Sequence, residues 1–390
     1  MQKGEIPITG NTNTISNNGT DRSEQNMPRG TYLLMGLITA YLMVFSVVPN
    51  EFTAFFAIAL PLAFALAFLH SRFVAIAVGA SALLSLLFVG SLIGAASVVS
   101  TVFIIGMGAT AMLHLKPFVS VLMGIVAYGV SLIFTKDLIA SAYVFLWIPC
   151  ALLLAILLAR GANRVTAICA VSAMLVAVSA VPLLIQLYSE YGELSAATFT
   201  AFFSDLRAEY LQAYLDSLFL LPEKMQATMT EELFHTVFDT IISLLPAILV
   251  ITTNSIAFFA HMLSLTVCRK TGYAKRFPLK AHLFIMSKVS AILFIITLLL
   301  PILGLGNSDN AQVITVAAEN INLMLMPAFL LVGGFGVIAF FQRQRGCLNI
   351  WVLLALAFLL LYAGGFVLYA LALFGAFHTL RTPSRLIGDN

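Results

Sequence analysis

Apolar runs of eighteen residues or more recur from Thr31 almost to the C-terminus, separated by very short polar turns. A run of that length with few charges predicts a membrane-crossing helix. Many in series predict an all-α, polytopic transmembrane bundle, because a helix satisfies its own backbone in lipid. The expected segments are 31–48, 52–69, 73–91, 95–113, 117–134, 138–159, 165–188, 241–267, 283–305, 313–341 and 347–375, about 10–11 crossings. Eighteen residues rise roughly 27 Å, so the first five only just reach across a hydrocarbon core. Pro49 and Asn50 break the first pair, Ser71 and Arg72 the next, Lys116 and Pro117 a third. Segment 95–113 is rich in small residues (Ser97, Ser100, Thr101, Gly106, Gly108, Thr110), which suits either close packing or a re-entrant path.

Two stretches break this pattern. Residues 1–30 are rich in Asn, Thr, Ser and Gly and cannot bury enough apolar surface to order themselves. They read as a disordered cytoplasmic tail rather than a signal peptide. Residues 189–240 carry nine acidic residues against Arg207 and Lys224. Within them Asp205, Glu209, Gln212 and Asp216 fall on one helical stripe, with Phe199, Phe203, Leu206, Tyr210 and Tyr214 on the other side. Pro222 suits the start of a second helix, and Thr228 with Glu231 resembles a capping box. An acidic helical hairpin over the bundle is expected, either as a solvated face or as a lid. The division that follows is a tail 1–30, a transmembrane bundle 31–188, the acidic extracytoplasmic insertion 189–240, a second bundle 241–376 and a short tail 377–390.

Charge sets the orientation. Only 9% of residues are charged, so the placement of each counts. Arg72, His114 with Lys116, Arg160 with Arg164, the loop 268–280 and Arg343 with Arg345 fall on alternate turns. By the positive-inside tendency these turns and the N-terminus are expected to be cytoplasmic. Arg381 and Arg385 conflict with eleven crossings: either one segment does not span, or the rule yields at the tail. No basic run is long enough to follow nucleic acid. Cys150, Cys169, Cys268 and Cys347 form no CxxC pair and read as small buried side chains, not a zinc site or disulfide framework.

Polar side chains inside spans are costly, so each is a candidate for function. Asn254 and His261 share one face of the eighth segment; Glu319 and Asn322 share one in the tenth, beside Asn320. These four are the candidate ligand-binding residues, with bonding across helix interfaces as the plainer alternative. Glu232 and His235 match Glu-x-x-His, with Asp239 on the same face, but the further ligands of a metal centre are missing, so no metal and no cofactor is expected. No catalytic motif is present and an enzyme is not expected. Ala59, Ala63 and Ala67 recur every four residues, as do Gly36 and Ala40, and Gly333, Gly334 and Gly336 cluster. Such faces let helices approach closely, within the chain or against a partner.

Leu244-Leu-Pro-Ala-Ile-Leu-Val-Ile, Ser264 to Gly272, Arg276-Phe-Pro-Leu-Lys280, Asn320-Ile-Asn-Leu and Gly333-Gly-Phe-Gly resemble the YybS-like family of bacterial membrane proteins, a domain of unknown function. The resemblance implies a distant likeness to the six-helix substrate-binding S components of energy-coupling-factor transporters. Those dock on a membrane partner through an Ala-x-x-x-Ala face, and Ala59, Ala63 and Ala67 would be this chain's version. The likeness of fold is associational. The leading expectation is a protein that binds or helps to transport a small molecule from a pocket among the C-terminal helices. The alternative is a membrane scaffold or regulator of an envelope or sporulation assembly. The expected partners are the lipid bilayer, a small-molecule substrate and another membrane protein.

Overall fold

A computed structural model describes residues 29–69, 75, 78–79, 82, 91–115, 117–162, 164–218, 230–270, 286–301, 309–345 and 364–381. The expected tail 1–28, most of segment 73–91, Pro222, Thr228, most of the basic loop, Cys347 and Arg385 lie outside the described residues. The described elements are α1 (Arg29–Val47), α2 (Glu51–Ala67), α3 (Leu92–Leu115), α4 (Pro117–Thr135), α5 (Leu138–Ala142), a 3-10 turn (Tyr143–Leu146) and α6 (Trp147–Ala159). Then follow α7 (Arg164–Tyr191), α8 (Ala196–Leu218), α9 (Glu231–Lys270), α10 (Lys288–Leu299), α11 (Asp309–Arg345) and α12 (Gly364–Arg381). The fold is an all-α bundle, with no strand among the described residues. Among the described residues, five stretches are long and apolar enough to cross a membrane: Leu92–His114, Leu138–Ala159, Arg164–Tyr191, Glu231–Lys270 and Val313–Gly334.

Local chemistry sets the breaks. Asn50 caps α2 by accepting the Thr53 N–H at 2.9 Å, and Thr53 Oγ1 accepts the Asn50 N–H in return. Asp137 caps α5 through Ile139 and Ala140, and Ser287 caps α10 through Ser290. Gly192 ends α7 at φ 77°, where a side chain would be strained.

Helix α3 is the axis of the larger core. Residues 99–110 are all buried, as expected of a helix apolar on every face. Its small residues serve close packing rather than a re-entrant path. A Cβ on Gly106 would lie 3.0 Å from the Ala260 carbonyl oxygen, and Ser264 Oγ donates to Gly106 O at 2.9 Å. Cys150 and Cys268 are buried, whereas Cys169 is exposed on α7, contrary to the reading of every cysteine as buried. Large apolar side chains such as Phe118, Ile125 and Ile133 on α4 face outward, a surface suited to lipid.

A second, smaller core joins Ala291 and Phe294 of α10, Phe329 of α11, and Ala372 and Ala376 of α12. Helix α9 bridges the two. Its residues Ile256 to Val267 belong to the first core, while its Ser243–Ala247 turn is bonded to α11. Of the last expected span, 347–375, residues 347–363 lie outside the described residues; the described helix is Gly364–Arg381. Helices α11 and α12 run parallel: Glu319 to Leu323 share a cavity with Tyr369, while Gly336 lies against Phe374 and His378. Consecutive antiparallel spans would not do this, so Arg345 and Gly364 stand at opposite ends of the pair.

The described parts of the acidic insertion are helical over Ala196–Leu218 and from Glu231 on, as the periodicity of 205–216 predicts. Asp205, Glu209, Gln212 and Asp216 are all exposed. The opposite side of α8 packs on the first turns of α9, with the Tyr214 and Phe234 rings 5.2 Å apart. Arg207 forms an ion pair with Asp239 and lies over the Phe238 ring, and Tyr191 donates to Asp205 at 2.6 Å. Thr230 caps α9, its Oγ1 accepting the Leu233 N–H at 3.2 Å. From there α9 runs as one helix to Lys270 rather than restarting at 241.

Candidate functional site

Proline creates the first ingredient of the site. Pro246 lies inside α9, where it lacks an N–H and crowds the preceding turn. A side chain from α11 reaches the Ser243–Ala247 turn at this proline. Asn320 Oδ1 accepts the Ala247 N–H at 3.1 Å, and Asn320 Nδ2 donates to Ser243 O at 2.9 Å. The carboxamide thus bonds a backbone donor and a backbone acceptor of α9 at once, and Nδ2 also donates to Val316 O at 3.0 Å. Asn320 is 8% exposed, so these bonds satisfy groups that burial would otherwise penalise.

Asn322 makes a similar tie to the other neighbour. Its Nδ2 donates to Phe294 O of α10 at 3.2 Å, and Thr297 Oγ1 donates to Leu293 O and Phe294 O at 2.9 and 3.1 Å. These bonds fix the edge of a cavity of about 370 Å³ at the seam between the two cores. Its polar lining is Thr297, Glu319, Asn322 and Tyr369; Leu244, Leu298, Pro301 and Leu323 form the apolar wall. Thr297 and Asn322 are buried, whereas Glu319 and Tyr369 are exposed, which places the carboxylate and the phenol at the rim. Such a volume with a few convergent polar groups suits a small organic ligand.

The four sequence candidates separate. Glu319 and Asn322 line the cavity together; Asn254 and His261 do not. They lie ten and seventeen residues beyond Leu244 on α9, about 15 and 25 Å by helical rise. Asn254 is half-buried. His261 is buried in the first core, and its Nδ1 has no hydrogen-bond partner among the described residues. Thr297 and Tyr369 were not singled out by sequence, since a Thr and a Tyr in apolar helices carry no signal of their own. The Glu-x-x-His motif does not gather: His235 pairs with Glu231 at 3.5 Å and Asp239 with Arg207. No group of three or more metal-binding side chains occurs among the described residues.

The alanine stripe of α2 is turned away from the core. Ala54, Ala57, Phe64 and Ala65 are buried, while Ala63 and Ala67 are exposed and Ala59 is half-buried.

Neither the curated proteins nor the solved structures yield a match to this chain. A family model does match, over residues 108–378, well over half of the chain and all of the cavity. The chain therefore belongs to the family described as predicted membrane protein, DUF2232.

Proposed function

We propose that this membrane protein binds, or helps to move, a small molecule held in the cavity between α9, α10, α11 and α12. The reading is non-catalytic. It rests on one observation: Glu319 and Asn322, costly in an apolar helix, both line that cavity, beside Thr297 and Tyr369. In the proposed orientation the N-terminus is cytoplasmic in a bacterial plasma membrane, and the acidic lobe lies outside. Arg160, Arg164, Arg269 and Lys270 cluster at one end of α6, α7 and α9, and the lobe stands at the other, which supports it.

The test uses the full chain in detergent. Thermal unfolding is followed with and without a total small-molecule extract of bacterial cells, and bound compounds are identified by mass spectrometry. A specific ligand raises the Tm of the wild type. Glu319→Gln, which keeps the shape and removes the charge, should lose most of that rise while keeping its own folded yield. An equal rise in both proteins would remove Glu319 from the site.

A second reading has its own support. The outward alanine face of α2 suits close docking of a partner helix, as the likeness to the YybS-like family and to S components suggests. On that reading the chain is a scaffold or regulatory subunit, or the binding member of a larger transporter. Crosslinking from Ala63→Cys in native membranes, in a variant otherwise free of cysteine, would capture a membrane partner. Capture of lipid adducts alone would count against it.

A further inference from the structure

We infer that the cavity takes an amphipathic amine, with its ammonium group at Glu319 and its apolar body against Leu244 and Leu323. This rests on the cavity being a binding site and adds the class of ligand.

The argument is a count of what the lining has left to offer. Glu319 makes no ion pair or hydrogen bond among the described residues, so its carboxylate is an unspent acceptor. Asn322 has committed its amide nitrogen to Phe294 O, which turns Oδ1 to the other side; that oxygen takes no bond among the described residues. Thr297 has committed its hydroxyl hydrogen to the carbonyls of Leu293 and Phe294, which leaves oxygen lone pairs. The Tyr369 phenol can accept as well as donate. Among the described residues no Lys, Arg or His lines the cavity. The site is therefore rich in acceptors and negative.

An anion would meet repulsion there. A neutral ligand would leave a carboxylate uncompensated at the edge of an apolar environment. A primary ammonium supplies three donors and the opposite charge. Size excludes a bare cation as the natural occupant, since about 370 Å³ is an order of magnitude above the ~30 Å³ share of one water. The leucine wall needs apolar surface to cover it, and the Tyr369 ring is available to a cation at the rim.

Three probes of one shape separate the possibilities: cyclohexylmethylamine, cyclohexylmethanol and cyclohexanecarboxylate. Each is titrated against the full chain in nanodiscs, with Tm and calorimetric heat as readouts and sodium and potassium chloride as controls. The amine should bind at least about tenfold more tightly than the alcohol, the carboxylate should not bind, and Glu319→Gln should bring amine and alcohol within about threefold. Alcohol or carboxylate binding as tightly as the amine would overturn the inference. So would a Glu319-dependent response to sodium or potassium alone. If no probe binds but the cell extract still stabilises the wild type, the amine falls and the binding site stands. If neither probes nor extract bind, both fall.

Discussion

Gly333 of α11 and Gly375 of α12 meet with no side chain between them. A Cβ on Gly333 would collide with the carbonyl oxygen of Leu371, and a Cβ on Gly375 with the carbonyl oxygen of Phe329. Both obstacles are backbone, so neither can swing away. This contact anchors the parallel pair that carries Glu319, Asn322 and Tyr369.

Gly333→Ala and Gly375→Ala should each destabilise by about 1–3 kcal/mol, and both should deform the cavity. Gly334→Ala is the internal control, since nothing lies within 4 Å of a Cβ there. It should be neutral or stabilising by up to ~1 kcal/mol, through helix propensity alone. Unfolding in mixed detergent micelles reads all three.

Asn320→Leu should cost about 1–3 kcal/mol, because it removes the side-chain bonds to the Ala247 N–H and the Ser243 carbonyl in a buried place. Pro246→Ala in the same chain should recover part of the loss. With alanine at 246 the helix regains the N–H that proline lacks and can close its own bond to the Ile242 carbonyl. A double-mutant cycle measures the coupling; additive effects would mean that the carboxamide does not serve the break.

Arg207→Ala should loosen the lobe without unfolding the bundle. The ion pair with Asp239 is exposed, so its loss should cost under about 1 kcal/mol. Amide exchange in α8 should nevertheless accelerate, and Asp239→Ala should do the same. Unchanged exchange in both would show that Tyr214, Phe234 and the Tyr191–Asp205 bond hold α8 unaided.

Topology is read by thiol labelling in a chain otherwise free of cysteine. An impermeant reagent on intact cells should reach Ser195→Cys and not Lys270→Cys. A tag after Arg381 should behave like Lys270, since α11 and α12 run parallel and Arg345 marks the same end. That outcome would resolve the conflict that Arg381 and Arg385 pose for a count of eleven crossings.

Much of the helical body was legible in the sequence where a break carries a local signal, as at Pro49–Asn50 or Pro117. Where the signal is absent the reading drifted. Helix α9 was divided at 241 because its first turns are polar and the rest apolar, yet the backbone is continuous. Glu319 and Asn322 were visible as polar positions in an apolar run. Asn320 looked the same, but its task depends on Pro246, seventy-four residues away and on another helix. Thr297 and Tyr369 become visible only when three helices are brought together.

The joint at Pro246 has a mechanical consequence. Helix α9 spans about 60 Å, twice the ~30 Å of a hydrocarbon core, and its far end carries the lobe. Glu231 stands fifteen residues from the joint, about 23 Å by helical rise. A bend of ~10° there would sweep that end through about 4 Å. The carboxamide of Asn320, which sits between Glu319 and Asn322 two positions on, ties the turn at Pro246 to α11. A displacement of α11 too small to repack the core would thus be magnified at the mouth of the protein.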